Sequence, residues 1–232
     1  RGLSLILGDI GTGKTTLSRA LLQAFRNEDD FIFHIILDPG FESQFEFLAN
    51  LAEIFNLEPG LKSVSEFKDG LKKYLFQKGA EEGKTVILII DEGQKISEEN
   101  LEVLRTLLNY ETNEYKLLQL VIMAQIEFIP VITKIRNFMD RISLKYMINP
   151  LDEAEIKEMV GFRLKQAGYN NPVSLFTDEA LKQVYEKTQG YPRRTAMLCH
   201  EALKAIVMKD LSVVNGEIIR ELTGKELIYE RK

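Results

Sequence analysis

The sequence predicts an α/β protein, a doubly wound parallel sheet of five strands followed by a small all-helical domain. Two observations support this fold class. Nearly continuous apolar runs alternate with amphipathic segments as far as residue 149, and only helical patterns follow from residue 150. Continuous apolar runs are typical of parallel strands that are covered on both faces, and the segments between them have the apolar spacing of covering helices. We therefore assign residues 1–149 to an α/β core and residues 150–232 to a helical lid.

Each element of this fold has its own signal in the chain. Apolar runs predict strands at Leu3–Leu7, Phe31–Leu37, Thr85–Ile90, Leu118–Met123 and Ser143–Ile148. Apolar residues at helical spacing predict helices within residues 41–55, 67–75 and 101–108. In the lid, Asp152 and Glu155 have the spacing of a capping box, and Thr177 is the predicted cap of a second helix. Further lid helices are predicted over Arg193–Val207 and Gly216–Leu222.

Composition narrows the class of protein. Hydrophobic residues make up 45% and charged residues 28% of the 232, which is ordinary for a globular protein. The net charge of −5 argues against a surface coated in positive charge for nucleic acid, although a local basic patch remains compatible with it. Apolar runs such as Val86–Ile90 are too short to span a membrane. The single cysteine, Cys199, cannot form an internal disulfide, so we expect a reducing, cytoplasmic location.

A phosphate-binding motif follows the first predicted strand. Residues 8–15 match the pattern G-x-x-x-x-G-K-S/T between a strand and a helix, which is the context of a P-loop. Glycines in such a loop let backbone N–H groups turn towards phosphate oxygens. Lys14 is expected to reach the β- and γ-phosphates, Thr15 to bind Mg²⁺ and Thr16 to face the α-phosphate. The predicted nucleotide-binding residues are Gly8, Asp9, Ile10, Gly11, Thr12, Gly13, Lys14, Thr15 and Thr16.

Two carboxylates end the third predicted strand. Asp91 and Glu92 follow the apolar run Val86–Ile90. We expect Asp91 to hold Mg²⁺ through its hydration shell and Glu92 to polarise the attacking water. Two acids entering a loop are common, but here their strand belongs in the same sheet as the P-loop strand. The pair therefore predicts ATP hydrolysis, and the lack of a guanine-selecting Asn-Lys-x-Asp run supports ATP weakly.

Further candidates have two interpretations each. Gln125 follows the fourth strand, which we expect to lie between the strands of the P-loop and of Asp91; it is either a γ-phosphate sensor or a polar loop residue. Arg141, slightly favoured over Arg136, precedes the last strand and is either a finger that acts in a neighbouring subunit or a solvated arginine. Arg193 begins a lid helix and either touches ATP, remains exposed or binds nucleic-acid phosphate.

The order of motifs resembles one family. The chain resembles the ATPase domain of the ExeA, or general secretion pathway protein A, family of AAA+ proteins. The segments that carry the resemblance occur in the same order as in that family: the P-loop, Asp91–Gln94, Asn109–Thr112, Lys116–Gln119, Ala124–Glu127 and Gly190–Arg193. Transposition regulators of the TnsC, TniB and MuB kinds are related to it. The resemblance implies a homo-oligomeric ring or filament with ATP between subunits. It assigns Walker roles to Lys14, Thr15, Asp91 and Glu92, sensor roles to Gln125 and Arg193, and the finger to Arg141. The chain departs from the family at Ala124-Gln125-Ile126-Glu127, where Gly-Gln-Pro-Glu is common.

Three biological roles are compatible with an ATPase of this kind, and the third comes from another class of protein. The first is a motor that remodels or recruits a protein partner in secretion or envelope assembly. The second is a transposition regulator on duplex DNA, for which a filament could align Lys72, Lys73 and Lys78 along a groove. The third is an adaptor in which slow hydrolysis only times protein binding.

Overall fold

The structure, a computed structural model, describes residues 2–112, 116–135, 137–171 and 173–229, with the backbone alone for 225–229. The chain forms two compact units. The first comprises Arg1–Ile10 with Lys14–Ile148, and the second comprises Gly11–Gly13 with Asn149–Lys232. Each unit contains its own cluster of buried apolar side chains.

A parallel sheet forms the centre of the first unit. Its strands are β1 (Leu3–Gly8), β2 (Phe31–Ile36), β3 (Thr85–Ile90), β4 (Leu118–Ala124) and β5 (Ile142–Ile148). Their order is β2-β3-β4-β1-β5, and every pairing is parallel. The predicted fold class is therefore confirmed, and each strand differs from its predicted bounds by no more than one residue at either end.

Helices connect the strands, and hydroxyl side chains determine where several of them begin. The helices are α1 (Lys14–Ala24), α2 (Gln44–Ile54), α3 (Val64–Phe76), α4 (Glu98–Leu107) and α5 (Ile129–Thr133). Ser43, Ser63 and Ser97 cap α2, α3 and α4, and each side chain accepts a hydrogen bond from the backbone N–H three residues later. These caps satisfy N–H groups that the first turn of a helix leaves without partners.

Burial differs between the inner and the outer strands. In β1, Leu3, Leu5 and Leu7 are at most 1% exposed, whereas Leu144 and Tyr146 of β5 are 53% and 58% exposed. Most of β2 is only half-buried, although its apolar run predicted a strand covered on both faces. The reason is position, because β2 and β5 are the edges of the sheet in the described residues.

The second unit is helical, as expected. Its helices are α6 (Glu153–Gln166), α7 (Asp178–Thr188), α8 (Pro192–Met208) and α9 (Gly216–Tyr229). Asp152 and Glu155 form the predicted capping box, and the Thr177 side chain accepts from the Ala180 N–H. The one addition in the described part of this unit is an isolated parallel bridge between Phe176 and Val214.

None of the described helices has both the length and the apolar character needed to cross a membrane.

Candidate nucleotide-binding site

The sheet brings three chain segments to one edge. β4 pairs with β1 on one side and with β3 on the other, with Ala124 opposite Leu7 and Ile122 opposite Ile90. The predicted position of β4 between these strands is therefore confirmed. Because the strands are parallel, the P-loop, the Asp91–Glu92 pair and Gln125 all leave the sheet at its carboxyl edge, where ligands bind in open α/β sheets.

The P-loop connects β1 directly to α1. Gly11 and Gly13 have φ angles of 83° and 106°, in the left-handed region that glycine adopts readily. The Lys14 ammonium folds back over the loop and donates to the Gly8 and Asp9 carbonyls at 2.7 and 2.9 Å. Burial lowers the pKa of Lys14, while the carboxylates of Glu92 and Asp91 oppose that shift. The loop thus holds a cation at the start of a helix, an arrangement suited to phosphate.

Two oxygen-bearing side chains meet beside the P-loop. The Thr15 hydroxyl donates to Asp91 Oδ2 at 2.5 Å, and Asp91 Oδ1 accepts from the Glu92 N–H at 2.9 Å. Asp91 is only 3% exposed. The described residues contain no group of three or more His, Cys, Asp or Glu that could hold a metal by itself. One hydroxyl with one carboxylate fits Mg²⁺, which usually binds few protein oxygens and completes its shell with phosphate and water.

Glu92 lies in a tightly packed turn. Its φ is 52°, and the following residue, Gly93, is buried against β4. A Cβ atom on Gly93 would lie 2.4 Å from Ile122 Cγ2, so the turn requires a residue without a side chain. Within the turn, Gln94 Nε2 donates to Glu92 Oε2 at 2.6 Å, and Gln94 Oε1 accepts from the Gln125 N–H at 3.1 Å.

Sequence reasoning did not assign a role to Gln94. The residue appeared in the motif Asp91–Gln94 as part of a resemblance, but nothing in its local pattern predicts a contact with Gln125, 31 positions further along the chain. That contact depends on the pairing of β3 with β4. Gln125 itself lies at the predicted edge, where its backbone N–H, rather than its side chain, makes this contact.

Arg141 does not lie with Lys14 at the carboxyl edge of the sheet. Arg141 immediately precedes β5, which runs parallel to β1, so it lies at the amino edge of the sheet, opposite Lys14. Its Nε is buried and has no hydrogen-bond partner among the described residues. Arg193 occupies the first turn of α8 in the second unit, which also includes Gly11–Gly13 of the P-loop. Its backbone N–H donates to the Gly11 carbonyl at 3.3 Å. Arg136 lies outside the described residues.

Known proteins resemble this chain in sequence and in fold. Residues 1–132 match the family model of the AAA domain. General secretion pathway protein A of Aeromonas hydrophila is 34% identical over 224 residues, which cover 94% of this chain and 39% of that protein. The chain thus spans about two fifths of the length of this relative.

Solved structures share the fold at low sequence identity. Cdc6p of Pyrobaculum aerophilum superposes with a TM-score of 0.73 at 16% identity, covering 96% of this chain and 60% of that one. The ORC2 protein of Aeropyrum pernix, in ADPNP–ADP complexes, gives 0.68 at 15% identity, with coverage of 95% and 61%. RuvB of Thermotoga maritima, a Holliday junction branch migration motor, gives 0.64 at 16% identity, with coverage of 95% and 60%.

These findings agree with the P-loop geometry and with the motif order. The family model covers more than half of the chain, and it includes both β1 with its phosphate loop and β3 with its two carboxylates. The resemblance to the general secretion pathway protein A family is confirmed by the identity over nearly the whole chain. The chain therefore belongs to the AAA domain family and is a P-loop ATPase domain of the AAA+ class.

Proposed function

We propose that this domain binds ATP with Mg²⁺ at the carboxyl edge of the sheet and hydrolyses it. The observation that carries the proposal is the convergence of Lys14, Thr15, Asp91 and Glu92 at that edge. The backbone of residues 8–13 cradles the phosphates, Lys14 contacts the β- and γ-phosphates, and Thr16 faces the α-phosphate. Thr15 and Asp91 would hold Mg²⁺, which when bound neutralises charge on the phosphate oxygens.

Glu92 is the proposed base for the attacking water. The water oxygen forms a bond to the γ-phosphorus while the bond to the oxygen that bridges the β- and γ-phosphates breaks. One water proton passes to the Glu92 carboxylate, and ADP and inorganic phosphate are the products. Lys14 stabilises the charge that develops on the phosphate oxygens, and Gln125, at the end of β4, would contact the γ-phosphate.

We further propose that subunits share the active site. Residues 1–149 would form the AAA+ core and residues 150–232 the lid, in which Arg193 touches the nucleotide. Arg141 lies at the edge of the sheet opposite its own P-loop, so it can serve only the site of another subunit. This position supports a ring or filament with ATP between subunits, in which Arg141 acts as the finger in trans.

The 34% identity to general secretion pathway protein A favours a role in secretion or envelope assembly, in which nucleotide-dependent assembly remodels or recruits a protein partner. We expect this activity in the cytoplasm, a prediction that rests on the single cysteine. DNA binding has less support, because Lys78 pairs with Glu82 at 2.6 Å and the net charge is −5. In the adaptor role, hydrolysis is slow and only times the binding of a protein partner.

Paired binding and turnover measurements test the proposal. Lys14→Ala should lose both ATP binding and hydrolysis. Glu92→Gln should keep its affinity for ATP and lose about 100-fold or more in turnover, because the amide cannot accept the water proton. Glu99→Gln makes the same change at an exposed position of α4 and should leave both quantities unchanged. Full turnover in Glu92→Gln would refute the assignment of the base.

The same assay separates the biological roles. The secretion motor predicts turnover that duplex DNA does not alter at low or moderate salt. A rise in turnover with DNA that is lost at higher salt would favour the transposition regulator instead, because contacts to phosphate release counterions. Very slow turnover with intact binding of a protein partner in Glu92→Gln would favour the adaptor.

A further inference from the structure

The side-chain amide of Gln94 makes two contacts that connect Glu92 to β4. Its nitrogen donates to Glu92 Oε2 at 2.6 Å, and its oxygen accepts from the Gln125 backbone N–H at 3.1 Å. One short side chain thus joins the carboxylate after β3 to the backbone after β4.

The two contacts define the orientation of the amide. A carboxylate only accepts hydrogen bonds and a backbone N–H only donates them. Rotating the amide by half a turn would therefore oppose oxygen to oxygen and N–H to N–H. Gln94 consequently holds its nitrogen towards Glu92, and no other uncharged side chain of this length supplies both a donor and an acceptor in this way.

The Glu92 carboxylate has few other hydrogen bonds among the described residues. No hydrogen bond from a described residue reaches its second oxygen, Oε1. The backbone of the turn is held against β4 by the close approach of Gly93 to Ile122. Among the carboxylates that act on Lys14, Glu92 has the largest effect, which is consistent with a position near the P-loop lysine. Gln94 restrains one carboxylate oxygen and leaves the other available to a water molecule.

We propose that Gln94 is a positioning residue for hydrolysis: it holds the Glu92 carboxylate towards the P-loop and makes that position depend on the end of β4. This inference rests on the proposed role of Glu92 as the base. Gln94 acts through Glu92 and does not touch the phosphate. Gln125, at the end of β4, is predicted to contact the γ-phosphate. A shift of Gln125 on binding ATP would therefore also move the Glu92 carboxylate, because Gln94 connects the two residues.

A purely structural role would be different. In that case Gln94 would only attach the turn to β4 through its oxygen, and any residue that accepts from the Gln125 N–H would be sufficient. The proposal instead requires the donor that faces Glu92. The two roles therefore predict different behaviour for a substitution that keeps the acceptor and removes the donor.

Three variants separate these roles. Gln94→Met has nearly the same length and can neither donate nor accept. Gln94→Glu keeps an oxygen for the Gln125 N–H but places a carboxylate against Glu92. Lys95→Met is the matched control in the same turn, since it removes only an exposed ion pair with Asp38.

Steady-state turnover and ATP affinity are the first readouts. Both Gln94 variants should lose about 10- to 100-fold in kcat, the effect of a base displaced by about an ångström. Their affinity for ATP should change by less than about threefold, because Gln94 does not contact the nucleotide. Lys95→Met should match the unmodified protein. Normal turnover in Gln94→Glu would overturn the proposal and leave only the structural role.

A double-mutant cycle tests whether Gln94 acts through Glu92. Gln94→Met should cause no further loss in a Glu92→Gln background if the two side chains act as one unit. Independent, multiplicative losses would overturn the proposal. The contact itself is measured without nucleotide by hydrogen exchange of the Gln125 amide, which should accelerate in Gln94→Met and not in Gln94→Glu. Unchanged exchange in Gln94→Met would also overturn the proposal.

Failure of the proposed function is distinguishable from these results. If the unmodified protein hydrolyses no ATP, or if Lys14→Ala is as active as the unmodified protein, the assigned reaction is wrong whatever the Gln94 variants do.

Discussion

At the carboxyl edge of the sheet, the positive charge of Lys14 lies among negatively charged carboxylates. The carboxylates of Glu92, Asp91, Asp9 and Glu127 all act on Lys14 and oppose the effect of its burial. Such a site offers a cation to phosphate but also repels a bare triphosphate. This balance is the physical reason to expect that ATP binds here together with Mg²⁺, which Thr15 and Asp91 would hold.

Cys199 shows the opposite situation, an ionisable group that burial makes inert. Burial raises the pKa of its thiol to about 12, although Arg163 acts in the other direction. An acid with a raised pKa stays protonated below it, so at pH 8 only about one thiol in ten thousand is ionised.

We expect native protein to react with a thiol reagent at pH 8 about a thousandfold more slowly than an exposed cysteine. In denaturant, the single thiol should react at once. The rate is measured by absorbance with a disulfide reagent. Rapid, stoichiometric labelling of the native protein would contradict the burial of Cys199.

Elements of the second unit are joined by a turn that only glycine can occupy. Gly190, between α7 and α8, has a φ of 76°. Its carbonyl accepts from the Leu151 N–H at 2.9 Å, and a Cβ atom would lie 1.9 Å from the Leu151 oxygen. Gly190 therefore forms the turn between α7 and α8 and also bonds to Leu151, which precedes α6.

Gly190→Ala should destabilise the second unit by at least about 2 kcal/mol, because it adds both backbone strain and a collision with a main-chain oxygen. Gly161→Ala is the matched control. Gly161 lies within α6 with open space around it, so alanine should stabilise the helix by about 0.5–1 kcal/mol. Denaturant unfolding followed by circular dichroism measures both, and equal stabilities of the two variants would contradict the geometry of the turn.

The whole molecule places Arg141 and Lys14 at opposite edges of one sheet. A site that needs both must therefore take them from two subunits. The activity of such an assembly depends on protein concentration, because dilution dissociates the subunits and removes Arg141 from the neighbouring nucleotide. Turnover per subunit should rise with protein concentration until assembly is complete.

Mixed assemblies test the shared site. Arg141→Ala alone and Lys14→Ala alone should each lose turnover, but an equal mixture should recover activity at about one quarter of the interfaces, where an intact Lys14 meets an intact Arg141. A mixture of Arg141→Ala with the Arg141→Ala/Lys14→Ala double variant is the control and should recover nothing. Equal turnover in the two mixtures would exclude Arg141 as a finger in trans.

The local features of this protein were determined by the sequence. The bounds of β1 and β3, the caps Asp152 and Thr177 and the P-loop all depend on neighbours along the chain, so their patterns predicted them closely. What only the tertiary structure decided depends on strand adjacency. The exposure of β5 and the contact of Gln94 with Gln125 follow from the order β2-β3-β4-β1-β5. The separation of Arg141 from Lys14 follows from the parallel pairing of β5 with β1. Hydrophobic periodicity encodes which residues are buried, but the partners of a strand are set by long-range pairing, which no local pattern contains.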